Sequence, residues 1–284
     1  GVDKAGEGVF DVRNKEGVSL AGLHSDEGGG FVSLRNNSGE QTGTFGTSSE
    51  GNGVLVIHNK MGTVAAGLMA KESDGGLSFV ADNAGQAVAV LGHNEGTGDL
   101  KIYNESRNAV VDLSVDEGSG GSFAVSNKVG QEIFIVGTDS GKNPVLQVFN
   151  SKSRPIMAIE SDDKGNGAWA VNDKSGIPII TAFVSGTENV PLFRVYSSEA
   201  KPIFSVGVDN YKNSFATLND SSTGIPAVAL TVNSDGVGAT SIINAAEVPV
   251  VTLTTSTDGS GLIGLSDEKG DLVFKQPESQ SDDD

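Results

Sequence analysis

The chain has 284 residues, 39 of them glycine, and a net charge of −18. So acidic a chain is not expected to bind a nucleic acid, which needs clustered Lys and Arg. With no cysteine, disulfides and thiolate metal sites are excluded, and with no run of 18 apolar residues no segment is expected to insert in a membrane.

One phrase recurs from end to end: Gly-x-apolar-x-apolar-x-Asn-x-x-Gly, cleanest at Gly53-Val54-Leu55-Val56-Ile57-His58-Asn59-Lys60-Met61-Gly62. Its Asn, or a stand-in, falls at Asn14, Asn36, Asn59, Asp82, Asn104, Asn127, Asn150, Asp173, Ser197, Asp220, Asn244 and Asp267, at intervals of 22 to 24 residues. A fixed period of this size marks a repeat array rather than a globular domain. The chain opens inside the register, with Gly8 already in place, and so reads as a processed or excised piece of a longer chain.

Each unit carries two strand signals. Before the marker, apolar residues alternate with mostly polar ones, as in Phe10-Asp11-Val12, Leu100-Lys101-Ile102 and Leu146-Gln147-Val148. That period of two predicts a strand with one apolar face. Six residues before the marker a glycine recurs (Gly8, Gly30, Gly53, Gly76, Gly98, Gly121, Gly167, Gly238, Gly261), which predicts a positive φ or a close backbone approach. The Asn-x-x-Gly that follows predicts a turn. Prolines just past it (Pro155, Pro178, Pro202, Pro226, Pro249) are expected to stiffen it.

After the turn, two adjacent positions are both apolar, as in Leu20-Ala21, Val110-Val111, Ile133-Phe134 and Ile203-Phe204. Neighbouring residues of a strand point to opposite faces, so this strand is expected to be covered on both. A second covered face calls for a further surface. The unit closes in acidic corners: Asp26-Glu27-Gly28, Asp116-Glu117-Gly118, Asp139-Ser140-Gly141, Asp162-Asp163 and Asp209-Asn210. The expected fold is therefore all-β, an elongated array of twelve two-strand units over 1–275, with an acidic disordered tail over 276–284.

No residue announces a reaction. Asp162-Asp163 and Asp116-Glu117 are the best places for calcium, but the acids keep no strict register and read as solvated turns. The near-constant period leaves no loop to build a glycosidase cleft. His24, His58 and His93 share no catalytic or metal spacing and read as surface residues. Trp169 sits where other units have Phe or Leu and reads as filler. Asn36, Asn104 and Asn219 open glycosylation sequons of the kind expected by chance in so Asn- and Ser-rich a chain. The threonines at 252, 254, 255 and 257 have no counterpart ladder in neighbouring units. No catalytic, cofactor or metal residue is therefore assigned.

Units such as Gly98-Asp99-Leu100-Lys101-Ile102-Tyr103-Asn104 and Lys201-Pro202-Ile203-Phe204 resemble the shafts of viral and phage fibre proteins. The likeness covers residues 8 to 275, with a longer unit than adenovirus-type shafts have. It implies a triple-stranded β-helix or β-spiral, a homotrimer. The competing architecture is a single-chain β-solenoid with one coil per unit. The functional expectation is a structural fibre or filament segment at a cell or virion surface, extracellular and without catalysis. The alternatives are an adhesin or glycan-binding solenoid and a β-helix carbohydrate enzyme. The expected partner is the chain itself, with a surface glycan as the other candidate.

Overall fold

The chain is all-β. The computed structural model describes residues 1, 8–26, 28–71, 75–94, 97–116, 120–138, 143–162, 164–185, 190–233, 235–255 and 259–276. Of the predicted acidic corners, Glu27, Glu117, Gly118, Asp139, Ser140, Gly141 and Asp163 lie outside the described residues, as does the tail beyond Gln276. Twenty-four strands alternate with turns, and the described residues contain no helix.

The strands fall into two compact units, Gly1–Lys142 and Asn143–Asp284. The first holds β1 (Val9–Arg13) and β2 (Ser19–Asp26) through β12 (Glu132–Thr138). The second holds β13 (Pro144–Phe149) through β24 (Leu272–Gln276). Within each unit every strand pairs antiparallel with the next in sequence. Each unit is thus an open meander. Equivalent strands 23 residues apart, which a one-coil-per-unit solenoid would stack directly, are separated by a whole strand.

The marker makes the turn for a chemical reason. At Asn14 the backbone N–H donates to Val18 O and Gly17 N–H donates to Asn14 O. The Asn14 side-chain oxygen accepts from the N–H groups of Glu16 and Val18. One short side chain thus satisfies two amides that the hairpin leaves over. The residue three places on adopts positive φ, +83° at Gly17, which glycine does without strain. Arg107, Ser153, Ala200 and Glu247 take the same conformation in their units, at φ of 55° to 65°. Three of those four units carry one of the recurrent prolines, Pro155, Pro202 or Pro249, as the first residue of the following strand. Pro needs no ladder partner there. The Asp220 turn is one residue longer, with Gly224 N–H donating to Asp220 O, which accounts for the interval of 24 to Asn244.

Three markers also tie their turn to the next one along the sheet edge. The amide nitrogens of Asn104, Asn150 and Asn244 donate to the carbonyls of Lys128, Lys174 and Glu268. The same hairpin geometry closes several opposite corners, at Ser48–Asn52, Asp162–Asn166, Asp209–Asn213 and Asn233–Val237.

Two expectations are corrected. The glycine six places before the marker stands at or within one residue of the start of the first strand, and its φ is not left-handed at any copy. Positive φ falls on nearby residues instead, Gly29, Gly51, Gly75 and Gly120. Where the recurrent glycine nears another backbone the distance is ordinary, as at Gly76, whose added Cβ would lie 3.8 Å from Met69 O.

The doubly apolar second strand is not a strand covered on both faces. Opposite Arg13 and Val12 stand Ser19 and Ala21, so Leu20 is an extra residue in the ladder. The same slip recurs in every unit, at Val110, Ile133, Ile156, Ile179, Ile203 and Val250 among others. A β-bulge sets two residues against one and bends the strand. Two adjacent apolar residues therefore mark a bulge that recurs in every repeat, at Thr42-Gly43 as well.

The acids at the turns give the fold a pH dependence. Hydrogen bonds hold the carboxyls of Asp82 (first from the Gln86 amide), Asp162 (Asn166), Asp173 (Ile177) and Asp209 (Asn213) below the ordinary value of 3.8. Asp220, with Ser222 as its first donor, is lowered to about 2. A folded pKa below the unfolded one means the unfolded chain binds more protons. This stabilisation is present in full above the unfolded value and is lost as pH falls toward the folded ones. The urea midpoint should hold from pH 7 to about 5 and fall below about 4. A midpoint indifferent to acid down to pH 2 would contradict these caps.

Candidate functional site: an uncovered apolar face

Register assigns every strand residue to a face. One row runs Phe10, Leu23, Val32, Phe45, Leu55, Leu68, Ser78, Leu91, Leu100, Leu113, Phe123, Val136 across the first unit. A second, two residues along each strand, runs Val12, Ala21, Leu34, Gly43, Ile57, Ala66, Val80, Ala89, Ile102, Val111, Val125, Phe134. Residues two apart share a face, and the edge-to-face contact of Phe123 with Phe134 at 6.1 Å joins the two rows. The second unit repeats the arrangement, with Phe193 on Phe204 at 6.3 Å. Trp169 stands in its first row, between Ile159 and Ala182. Neither row carries a charged residue in either unit.

This face is open to solvent. Phe45 is 63% exposed, Phe10 61% and Leu91 58%. Among the described non-glycine residues only Ser33, Ala158, Val190 and Ser205 are buried, all small or medium-sized. Stable domains bury an apolar face under a second layer, and each unit here is one layer.

The opposite face is mixed in character and makes some close cross-strand contacts. Phe31 lies against Gly46, Phe79 over Gly67 and Leu192 over Gly207, so glycine leaves room for a large cross-strand neighbour. Lys101 bonds Asp99 at 3.0 Å and lies 3.8 Å from Asp112. The Asp99 bond, followed in size by the opposing cost of burial, leaves the ammonium pKa raised. Arg194 sits over the Phe183 ring, 5.9 Å from its centroid.

The predicted polar residues distribute as follows. His24 stacks on Phe31 at 5.1 Å, and its Nε2 is 3.1 Å from Ser33 Oγ. Asp11 is near, yet its carboxylate accepts from Ser19 Oγ and Arg13, at 2.9 and 2.8 Å. Those two bonds, Ser19's the larger, hold it below the ordinary carboxylate range. Serine, histidine and acid share a patch, but Ser33 is 2% exposed and the acid serves Ser19 and Arg13. A nucleophilic relay needs an accessible hydroxyl and an acid on the far side of the ring. Sequence spacing hides this patch because only the β2–β3 register sets His24 beside Phe31. His58 ends its strand opposite Val64, away from His24.

Asp162, the describable half of its candidate calcium pair, spends one oxygen on the amides of Lys164 and Asn166 and the other on the Asn166 side chain. Among the described residues no group of three or more potential ligands could hold a metal. At the three sequons the side-chain nitrogens of Asn36, Asn104 and Asn219 each donate to a neighbour in the fold. Thr254 is likewise engaged, with its hydroxyl on Gly238 O. A groove of about 1100 Å³ crosses the second unit between Gly167 and Thr254, with Phe183, Leu192, Phe193, Phe215 and Leu230 in its walls. A smaller one of about 590 Å³ in the first unit includes Phe45, Leu68, Met69 and Leu77. Both are walled mainly by apolar side chains.

No protein-family model and no curated protein matches the chain. Among solved structures, 92% of it is similar to part of a chain in the Photorhabdus luminescens Tc holotoxin pore, at 9% identity and a TM-score of 0.20, covering 16% of that chain. A second likeness, to a chain in the TcdB2-TccC3-TEV crystal structure, covers 93% of this chain and 18% of the other, at 9% identity and a TM-score of 0.15. The chain thus spans less than a fifth of the length of each of these two chains.

Proposed function

We propose that this chain is a structural β-repeat segment of a fibre or filament at a cell or virion surface, and that it carries no catalysis. One observation carries the reading: the same hairpin, bulge and pair of apolar rows recur through both units, while the polar side chains near one another are consumed in turns and cross-strand contacts. A repeat of this kind supplies length and stiffness. Its acidic surface keeps it soluble through self-repulsion.

Thermal unfolding in the presence of Ca²⁺, and separately binding to a glycan array, tests the reading. A structural segment shows no saturable stabilisation at millimolar Ca²⁺ and no saturable glycan signal. A saturable midpoint shift, or one glycan class bound with a defined Kd, would replace it with the adhesin reading.

A further inference from the structure

Resting on that reading, we infer that the uncovered apolar face is covered by the same face of another copy of this chain, with ridges of one entering the gaps of the other. Area is the first ground. The chain exposes 17743 Å², whereas a folded monomer of 29.0 kDa exposes about 11,000 Å². The excess, roughly 6,000 Å², is shared by both faces of the one-layer units and by residues outside the described ones; even half of it matches the scale of obligate interfaces, which bury about 2,000–5,000 Å² or more.

Chemistry is the second ground. The two rows hold no charge, so they offer no handle to a partner recognised by ion pairs. Net charge of −18 opposes the meeting of two copies, but the rows keep that charge out of the contact. Loss of apolar area is the driving force left to this face.

Shape is the third ground. In the second row of the first unit, large and small residues alternate strand by strand as far as Ile102: Val12, Ala21, Leu34, Gly43, Ile57, Ala66, Val80, Ala89, Ile102; beyond it Val111, Val125 and Phe134 are all large. Over that stretch the large residues sit on the strands before the marker turn and the small ones on the strands after it, whereas the second unit's second row is large throughout, as at Met157, Ile180, Phe204 and Phe274. Strands lie about 4.8 Å apart, so ridges recur about every 9.6 Å with a gap between. A second copy displaced by one strand sets its ridges into those gaps between Val12 and Ile102, and within that stretch one matched ridge matches the rest. Side chains of packed sheets interdigitate over about 10 Å. An unrelated partner would need the same pitch.

Because the chain has no cysteine, single cysteines report the contact cleanly. Ile57 and Val56 are adjacent on one strand and point to opposite faces, Ile57 into the apolar row. With a short bis-maleimide, Ile57→Cys is expected to give a covalent dimer in high yield and Val56→Cys almost none. Leu230→Cys and Ala229→Cys repeat the test in the second unit, should either first variant misfold. Ala66→Leu with Ala89→Leu fills two gaps, and in the Ile57→Cys chain it is expected to cut the yield about tenfold. Equal yields from the two faces, or none from the apolar face, overturn the inference. An unchanged yield in the filled variant overturns the interdigitated seating. A chain that binds no glycan or Ca²⁺ and fails to crosslink loses this inference alone; one that crosslinks and binds a glycan loses the structural reading alone.

Discussion

Replacing Phe45, Leu68 and Leu91 together by lysine is expected to leave the strands formed and to abolish association. All three stand in the first apolar row, at 63%, 52% and 58% exposure in the single chain. A lysine there meets water, and its aliphatic stem still lies along the sheet. A surface substitution of this kind shifts stability by about 0.5 kcal/mol or less. Between two copies the same three ammonium groups would lose water with no acid to pair with, since neither row holds one. Leaving a charge buried and unpaired costs several kcal/mol per group. Far-UV circular dichroism should therefore match the parent while the mass falls to 29.0 kDa. A triple variant that keeps the parent's assembly would show that the face lies outside the contact.

Gly46→Ala is expected to destabilise each folded chain by about 2–3 kcal/mol. An added Cβ would lie 2.4 Å from Phe31 Cα and 2.5 Å from Gly30 O. Both are backbone atoms of the paired strand, so relief requires the strands to part rather than a side chain to turn. Gly53→Ala is the matched control, with nothing within 4 Å of the new atom and an expected change within about 0.5 kcal/mol. Urea midpoints at constant m would report both. Equal effects at the two sites would mean that the cross-strand approach of Phe31 to Gly46 is wrong. Gly67→Ala should fall between them, because its close neighbour is the far end of the Phe79 ring, which can move.

Much of the fold is legible in the sequence, because the residues that set it act locally. Asn14 and its counterparts, Asp220 apart, make the same hydrogen bonds, so the marker, the turn and the preceding strand follow from a short phrase. The positive φ at the fourth turn residue follows too, even where Ser153 or Ala200 replaces glycine. What escapes is non-local. Leu20-Ala21 reads as a strand covered on both faces until the partner strand reveals that Leu20 has no opposite number. Periodicity cannot separate a bulge from a two-faced strand, since both set two apolar residues side by side. Gly76 is similarly ambiguous: its fixed offset signals a constraint, but the left-handed residue is its neighbour Gly75.

The site divides in the same way. That apolar residues stand at alternate positions is visible in Phe10-Asp11-Val12. That they join into rows running across each unit depends on each strand pairing with the next, which the 23-residue period leaves undecided between meander and stacked coil. The His24–Ser33 contact needs that register as well. The contact of Phe31 with Gly46 is harder still to foresee, because the two lie 15 residues apart and neither is unusual on its own strand.

The molar mass of the unmodified chain, by light scattering on a size-exclusion column, tests the central claim most directly. Copies joined through the apolar rows predict a mass of two or more times 29.0 kDa at micromolar concentration. A clean 29.0 kDa species at every concentration would contradict it, and the apolar face would then belong to a partner other than this chain.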